Sequence, residues 1–219
     1  TSTRTAGQID EAVDFIGASL SSGADRDSSE LDLTVLKKDL PIGLELLADV
    51  LLHPAFQEGE ITRKAREIKA ALRKRQEDPG EVALEAFNEL VFGRHPYGRP
   101  LEGTDASLSA ITQNDIVRFY RDHYTPERTI ITVVGDVDAK EITAQLRALL
   151  KPWPKGTVTV ERAREPNPLQ DKALVKKIDR SVTQANIILG HQGIRRDNPD
   201  FYAVTVMNYI RGGGGSSSR

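Results

Sequence analysis

Apolar residues recur at three- and four-residue intervals through most of this chain, and that periodicity restricts it to folds built chiefly from amphipathic helices. Ile9, Val13, Ile16 and Leu20 predict a helix over Gln8 to Leu20, weakened at Gly17. Ile42, Leu46, Leu47, Val50 and Leu51 predict a second, with Asp39 as cap, Pro41 in its first turn and His53-Pro54 at its end. Ile61, Ala65, Ile68 and Leu72 line a third from about Glu58 to Gln76, broken by the Glu77 to Gly80 turn. Leu84, Phe87, Leu90 and Val91 mark a fourth, ended by Gly93. Thr112 and Asp115 form a capping box for a helix through Ile116, Phe119 and Tyr120. Ile142, Leu146 and Leu149 mark another, and Pro199 to Ile210 the last.

Period-two segments are fewer. Leu31, Leu33 and Val35 alternate with Asp32 and Thr34 as in a half-buried strand, with Ala24 to Ser28 as its hairpin turn. Thr129 to Gly135 reads as a buried strand, and Ala173 to Asp179 and Thr183 to Gly190 as strand-like runs. This order of elements predicts an α+β fold with helices packed on a largely antiparallel sheet. Pro152, Pro154, Pro166 and Pro168 deny regular hydrogen bonding to the stretch around them. The expected organisation is therefore a first domain over 1–152, a linker over 153–170 and a second unit over 171–219. That second unit is too short for a comfortable core, so it reads as truncated.

Charge excludes several function classes. Thirty basic residues face 32 acidic ones, for a net charge of −2, so no global field draws the chain to nucleic acid or anionic lipid. The basic stretch Arg63 to Arg75 is offset by Glu58, Glu60, Glu67, Glu77 and Asp78 and carries no aromatic residue, which makes it a solvated helix face. No stretch approaches the roughly 18 apolar residues of a membrane span, and Thr1 to Asp10 lacks the apolar core of a secretory signal. With 0 cysteines, disulfides, thiolate zinc sites and a cysteine nucleophile are excluded. The compartment stays open, a bacterial periplasm or cytoplasm being the expectation.

A catalytic zinc needs about three protein ligands, commonly two histidines one helical turn apart plus a carboxylate. None of His53, His95, His123 and His191 has a second histidine three or four residues away, so each reads as hydrogen-bonded or exposed. No G-x-S-x-G elbow is present, and the glycine run at Gly212 to Gly215 matches neither phosphate-binding loop.

Phe87 to Thr112, with a helix leading into His95-Pro96-Tyr97-Gly98, a Gly103-Thr104 turn and then a Ser-x-x-x-Ile-Thr segment, resembles the pitrilysin/insulinase family, including mitochondrial processing peptidase. The resemblance extends back to Thr1–Thr5 and forward through DHYTPERTIITVVGDVD to the glycine run. It implies a metallopeptidase of the processing-peptidase type, with the start of a second homologous domain. It also implies that His95, Pro96, Tyr97, Gly98, Gly103 and Thr104 are a structural motif loop. Members carry an inverted His-x-x-Glu-His motif on a helix upstream of the position equivalent to Thr1, so the first domain is expected to lack its N-terminal strands and zinc-motif helix. Their third zinc ligand, a glutamate on a later helix, falls on Ala71, and an assisting glutamate falls on Lys64.

Lys64, Ile68 and Ala71 share helical spacing, so a surface that should offer carboxylate oxygens to a cation carries an ammonium and a methyl group. Glu67 lies one turn before Ala71, displaced about 6 Å along the axis, too far to replace a ligand there. The resemblance thus implies a non-catalytic homologue or subunit with no zinc of its own. Such a chain contributes chamber wall, peptide contacts and a pairing surface to a homologous zinc-bearing partner or dimer mate. The expected partners are that subunit and an extended peptide, with neither nucleic acid nor membrane insertion. Two alternatives stand beside it: an active zinc endopeptidase with ligands in an upstream segment, and a structural core-type subunit.

Overall fold

The computed structural model describes residues 1–156 and 172–214. Eight α-helices lie among them: α1 (Ala6–Phe15), α2 (Leu40–Leu52), α3 (Glu58–Glu77), α4 (Pro79–Phe92), α5 (Asp105–Ala110), α6 (Gln113–His123), α7 (Ala139–Leu149) and α8 (Phe201–Asn208). Strands β1 (Ser19–Ala24) and β2 (Ser29–Thr34) form a two-stranded antiparallel sheet, in register from Ser19↔Thr34 to Ala24↔Ser29. Packing groups the chain into two units, Thr1–Asp78 with Arg99–Arg164 and Pro79–Gly98 with Glu165–Arg219. The mixed α+β class expected from the sequence is present, with helices dominant.

In the first unit, Thr5 caps α1. Its hydroxyl accepts the Gln8 N–H at 3.2 Å, and the Gln8 side chain accepts the Thr5 N–H at 2.9 Å. The helix stops at Phe15 rather than at Leu20, because Gly17 adopts φ +61° and turns the chain into β1, where Leu20 pairs with Leu33. The hairpin loop is tied by Asp25, whose Oδ1 accepts the Asp27 and Ser28 N–H groups at 2.7 and 2.6 Å. Helix α2 presses directly on β2: a Cβ at Gly43 would sit 3.2 Å from both Leu33 and Val35 side chains. Leu44, Leu46 and Ala48 are buried, as are Ile16, Ile142 on α7 and Trp153.

Some expectations are corrected here. Ile42 is exposed, since the buried arc of α2 runs through Gly43 and Leu44 instead. Asp39 makes no capping bond with its side chain; it lies in a short 3-10 turn and approaches Lys38 at 3.7 Å. The α6 capping box forms as expected, but Phe119 is exposed while Ile116 and Tyr120 turn inward. Thr129 to Gly135 forms no strand and bends at Gly135, and Ile130 and Val134 are 92% and 93% exposed. A strand exists only with a ladder partner, and none lies beside it among the described residues.

In the second unit, Gly93 ends α4 with φ +52°, as the sequence predicted, although Leu84 on that helix is exposed. The runs expected as strands over Ala173 to Asp179 and Thr183 to Gly190 likewise form no ladder among the described residues, and the second opens on a bend at Thr183. They are anchored through side chains instead. Lys176 Nζ meets Glu89 at 2.6 Å, and the Gln192 side-chain amide donates to the Val91 carbonyl at 2.9 Å. The backbone of Gly190 lies so near Phe87 that a Cβ would stand 2.8 Å from the ring. Helix α8 forms within the expected limits and runs into a π-helical turn over Tyr209–Gly213. The linker expectation falls largely on residues outside the described ones.

Candidate functional site

Helix α3 carries the two positions flagged in the sequence. Its apolar stripe, Ile61, Ala65, Ile68 and Leu72, is half-buried, so Lys64, Glu67 and Ala71 come to the outside. Ile68 therefore parts from Lys64 and Ala71, which stay exposed. Lys64 Nζ stands 3.7 Å from Glu67, which also pairs with Arg63 one turn away. The carboxylate that lies beside the two flagged positions on this face is thus committed to two cations. An ammonium and a methyl group supply no donor to a divalent ion, so Lys64 and Ala71 do not fit a zinc site. No group of three or more His, Asp or Glu side chains arranged to hold a metal occurs among the described residues.

Most of the other cations of the basic stretch are paired as well. Arg63 bonds Glu60 at 2.8 Å, Lys69 and Arg73 approach Asp105 at 3.6 and 3.8 Å, and Arg75 grips Glu102 with bonds of 2.8 and 2.5 Å. Arg75 holds the Glu102 carboxyl below the usual carboxylate range. Cations paired in this way with Glu60, Glu67, Asp105 and Glu102 offer less to a phosphate backbone.

The motif loop divides into two local devices. In the first, the N–H of Gly98 donates to the His95 carbonyl at 2.9 Å and the N–H of Tyr97 to His95 Nδ1 at 3.2 Å. The His95 and Tyr97 rings meet edge-on at 5.1 Å, and Phe92 packs on Tyr97 at 5.7 Å. Pro96 starts this turn, and a Cβ on Gly98 would lie 2.5 Å from the Gly93 carbonyl oxygen. In the second, Gly103 at φ +78° delivers Thr104 as the cap of α5, with Ser107 completing a reciprocal box at 3.1 and 2.8 Å.

The other histidines are also engaged. His53 Nδ1 lies 3.0 Å from Asp49, His123 2.9 Å from Arg128, and His191 2.6 Å from the Gln192 carbonyl.

One polar cluster escaped the sequence reading. Asp49, 5% exposed, sits within the apolar stripe of α2. Its Oδ1 accepts the Thr3 hydroxyl at 2.6 Å and its Oδ2 the Thr1 hydroxyl at 2.8 Å and Arg4 at 3.1 Å. Arg4 also reaches Glu45 at 2.5 Å, and the Ser2 N–H donates to the His53 carbonyl at 2.8 Å. Burial pushes the Asp49 carboxyl up, but the bonds from Thr3, Thr1, Arg4 and His53 outweigh it and hold it at about 2. The signal was available as an aspartate between Ala48 and Val50, where the helix period demands an apolar residue.

A shallow groove of the first unit is lined by Lys37, Leu40, Pro41, Val137, Asp138, Glu141, Ile142 and Gln145, none of them a flagged residue. No helix among the described residues is long and apolar enough to cross a membrane.

Sequence comparison places this geometry. Residues 1–105 match the family described as insulinase, peptidase family M16, and residues 110–219 match the peptidase M16 inactive domain. A protein of Streptomyces coelicolor described as an uncharacterized zinc protease is 29% identical over 224 residues, covering 99% of this chain and 48% of its own. A Mycobacterium leprae protein of the same description is 29% identical over 218 residues, with 99% and 49% covered. The chain thus spans about half the length of the curated relatives it matches. Among solved structures, a peptidase M16 inactive domain from Pseudomonas fluorescens superposes with a TM-score of 0.79 at 24% identity, covering 98% of this chain and 52% of that one. A Helicobacter pylori protease gives 0.63 at 22%, with 74% and 39% covered. These two likenesses speak to the fold. With both parts of its length matched by the family, the chain belongs to the M16 (insulinase) peptidase family.

Proposed function

We infer that this chain is a non-catalytic M16 homologue that contributes chamber wall, peptide contacts and a pairing surface to a zinc-bearing partner. The observation that carries the reading is the exposed face of α3, where Lys64 and Ala71 stand at the positions to which the family resemblance assigns carboxylates, and where Glu67 is neutralised by Arg63 and Lys64. In this reading His95 to Gly98 and Gly103-Thr104 shape the fold and touch no substrate. Residues 1–152 act as a first peptidase-like domain, joined by 153–170 to the beginning of a second. An extended peptide is bound along backbone edges, a mode that reads shape more than sequence. The zinc, the general base and the activated water belong to the partner.

A second reading, an active zinc endopeptidase, is favoured by the relatives' description as zinc proteases. Co-purification separates the two. The chain should be recovered with a His-x-x-Glu-His protein, and a quenched unstructured peptide should be cleaved, in a chelator-sensitive way, only when both are present. One tightly held zinc per chain, with hydrolysis by this chain alone, would overturn the proposal.

A further inference from the structure

We propose that residues 153–156 form a releasable strap, latched by Trp153 and Gly156 onto the turn that follows α6, and that its release lengthens the connection leading away from the first unit. With Pro152 and Pro154 on either side of Trp153, the sequence alone reads as the open start of a linker. In the structure Trp153 is instead a core side chain, 6% exposed, and its Nε1 donates to the Tyr124 carbonyl at 3.0 Å. Three residues on, the Gly156 N–H donates to the Glu127 carboxylate at 3.0 Å. That bond is the first of the causes that hold the Glu127 carboxyl below its usual range. Gly156 also lies so close to the buried Thr125 that a Cβ there would overlap the Thr125 side chain.

A segment opens locally when it buries little and when its hydrogen bonds face water. Between Trp153 and Gly156, Pro154 and Lys155 are exposed, and so is the Glu127 catch. Pro152 and Pro154 have no N–H to donate, so those positions add no further backbone bond to the latch. The turn beneath is held from its other side. The Tyr124 N–H donates to the Tyr120 carbonyl at 2.8 Å, and the Tyr120 hydroxyl to the Leu51 carbonyl on α2 at 2.5 Å. Release therefore breaks the bonds from Trp153 and Gly156 and uncovers one indole, while α6 and its turn keep their own partners. This inference rests on the reading of 153–170 as a connection and stands whether or not the reading of the zinc face holds.

The sequence contains 1 tryptophan, so its emission reports the strap itself. The intact chain is titrated with urea and followed by tryptophan emission, by acrylamide quenching and by far-ultraviolet circular dichroism. Emission is expected to move to the red, and quenching to rise, at lower urea than helix is lost. Gly156→Ala overpacks the latched state alone and shifts the latched-to-released ratio by about tenfold or more toward release. Glu127→Ala, a change on an exposed side chain, shifts it by about threefold in the same direction. Both variants keep the wild-type dichroism in water, and trypsin cuts them after Lys155 faster than it cuts wild type. Emission and dichroism that change together throughout would make Trp153 an ordinary core residue and overturn the proposal. Variants with wild-type emission and quenching, or a Gly156→Ala chain that loses helix along with its red shift, would also overturn it.

Discussion

The Thr3 hydroxyl donates to Asp49 Oδ1 at 2.6 Å across 46 residues of sequence, fastening the first residues of the chain to the interior of α2. Asp49 is more acidic in the folded chain, at about 2, than an unfolded aspartate near 3.9. The folded state therefore binds the proton less tightly, and the stabilisation is complete above about pH 5 and lost as the pH falls through about 2. The shift corresponds to about 2.5 kcal/mol. Urea titrations between pH 7 and 2.5 should show stability falling over that interval. Asp49→Asn should flatten the dependence and cost about 2–4 kcal/mol at pH 7 by leaving its donors poorly matched. An unchanged pH slope in Asp49→Asn would remove Asp49 from this role.

The Gly93–Gly98 turn makes a different prediction. A methyl at Gly98 would meet the Gly93 carbonyl oxygen at 2.5 Å, a backbone atom that cannot swing aside. Gly98→Ala should destabilise by about 2 kcal/mol or more, as overpacking does. At Gly93 nothing lies within 4 Å, and only the φ of +52° opposes a side chain, so Gly93→Ala should cost about 1 kcal/mol. Thermal unfolding of the pair checks the order, and equal costs would count against it.

How far the sequence could be read depends on where each element finds its partners. Helices satisfy their own backbones, so α2, α3, α6 and α7 were legible from period and caps, and the hairpin from Leu31, Leu33 and its polar turn. Thr129 to Gly135 and Ala173 to Gly190 have the composition of strands, but composition cannot supply the neighbouring chain that a ladder requires. The missed site follows the same logic. Asp49 joins Thr1 and Thr3 through a long-range contact, which no local pattern encodes, whereas the Thr104 and Thr112 boxes are local and could be read.

Arg75 and Glu102 are joined by two bonds, each partner about one-third exposed, at 35% and 33%. Their bidentate geometry raises the pair above an ordinary surface contact, while exposure limits it. A double-mutant cycle with Arg75→Ala and Glu102→Ala should give a coupling of about 0.5–1 kcal/mol, diminishing in 1 M salt. A coupling insensitive to salt would mean that the alkyl stem of Arg75, and not its charge, makes the contact.

The functional proposal makes its own demand on Lys64. If the zinc and the activated water lie in a partner, the ammonium of Lys64 takes no part in chemistry, and its contact with Glu67 is an exposed pair worth a few tenths of a kcal/mol. Lys64→Ala in the assembled pair should leave kcat/KM within about twofold, equivalent to less than half a kcal/mol of barrier. A chelator should abolish turnover in wild type and variant alike. If this chain were itself the zinc enzyme, removing a cation from the metal face would raise metal affinity and shift the zinc concentration needed for half-maximal activity. Titrating zinc into chelator-stripped wild-type and Lys64→Ala assemblies reads this directly. Coincident curves are expected, and a variant saturating at lower zinc would place the metal against α3 after all.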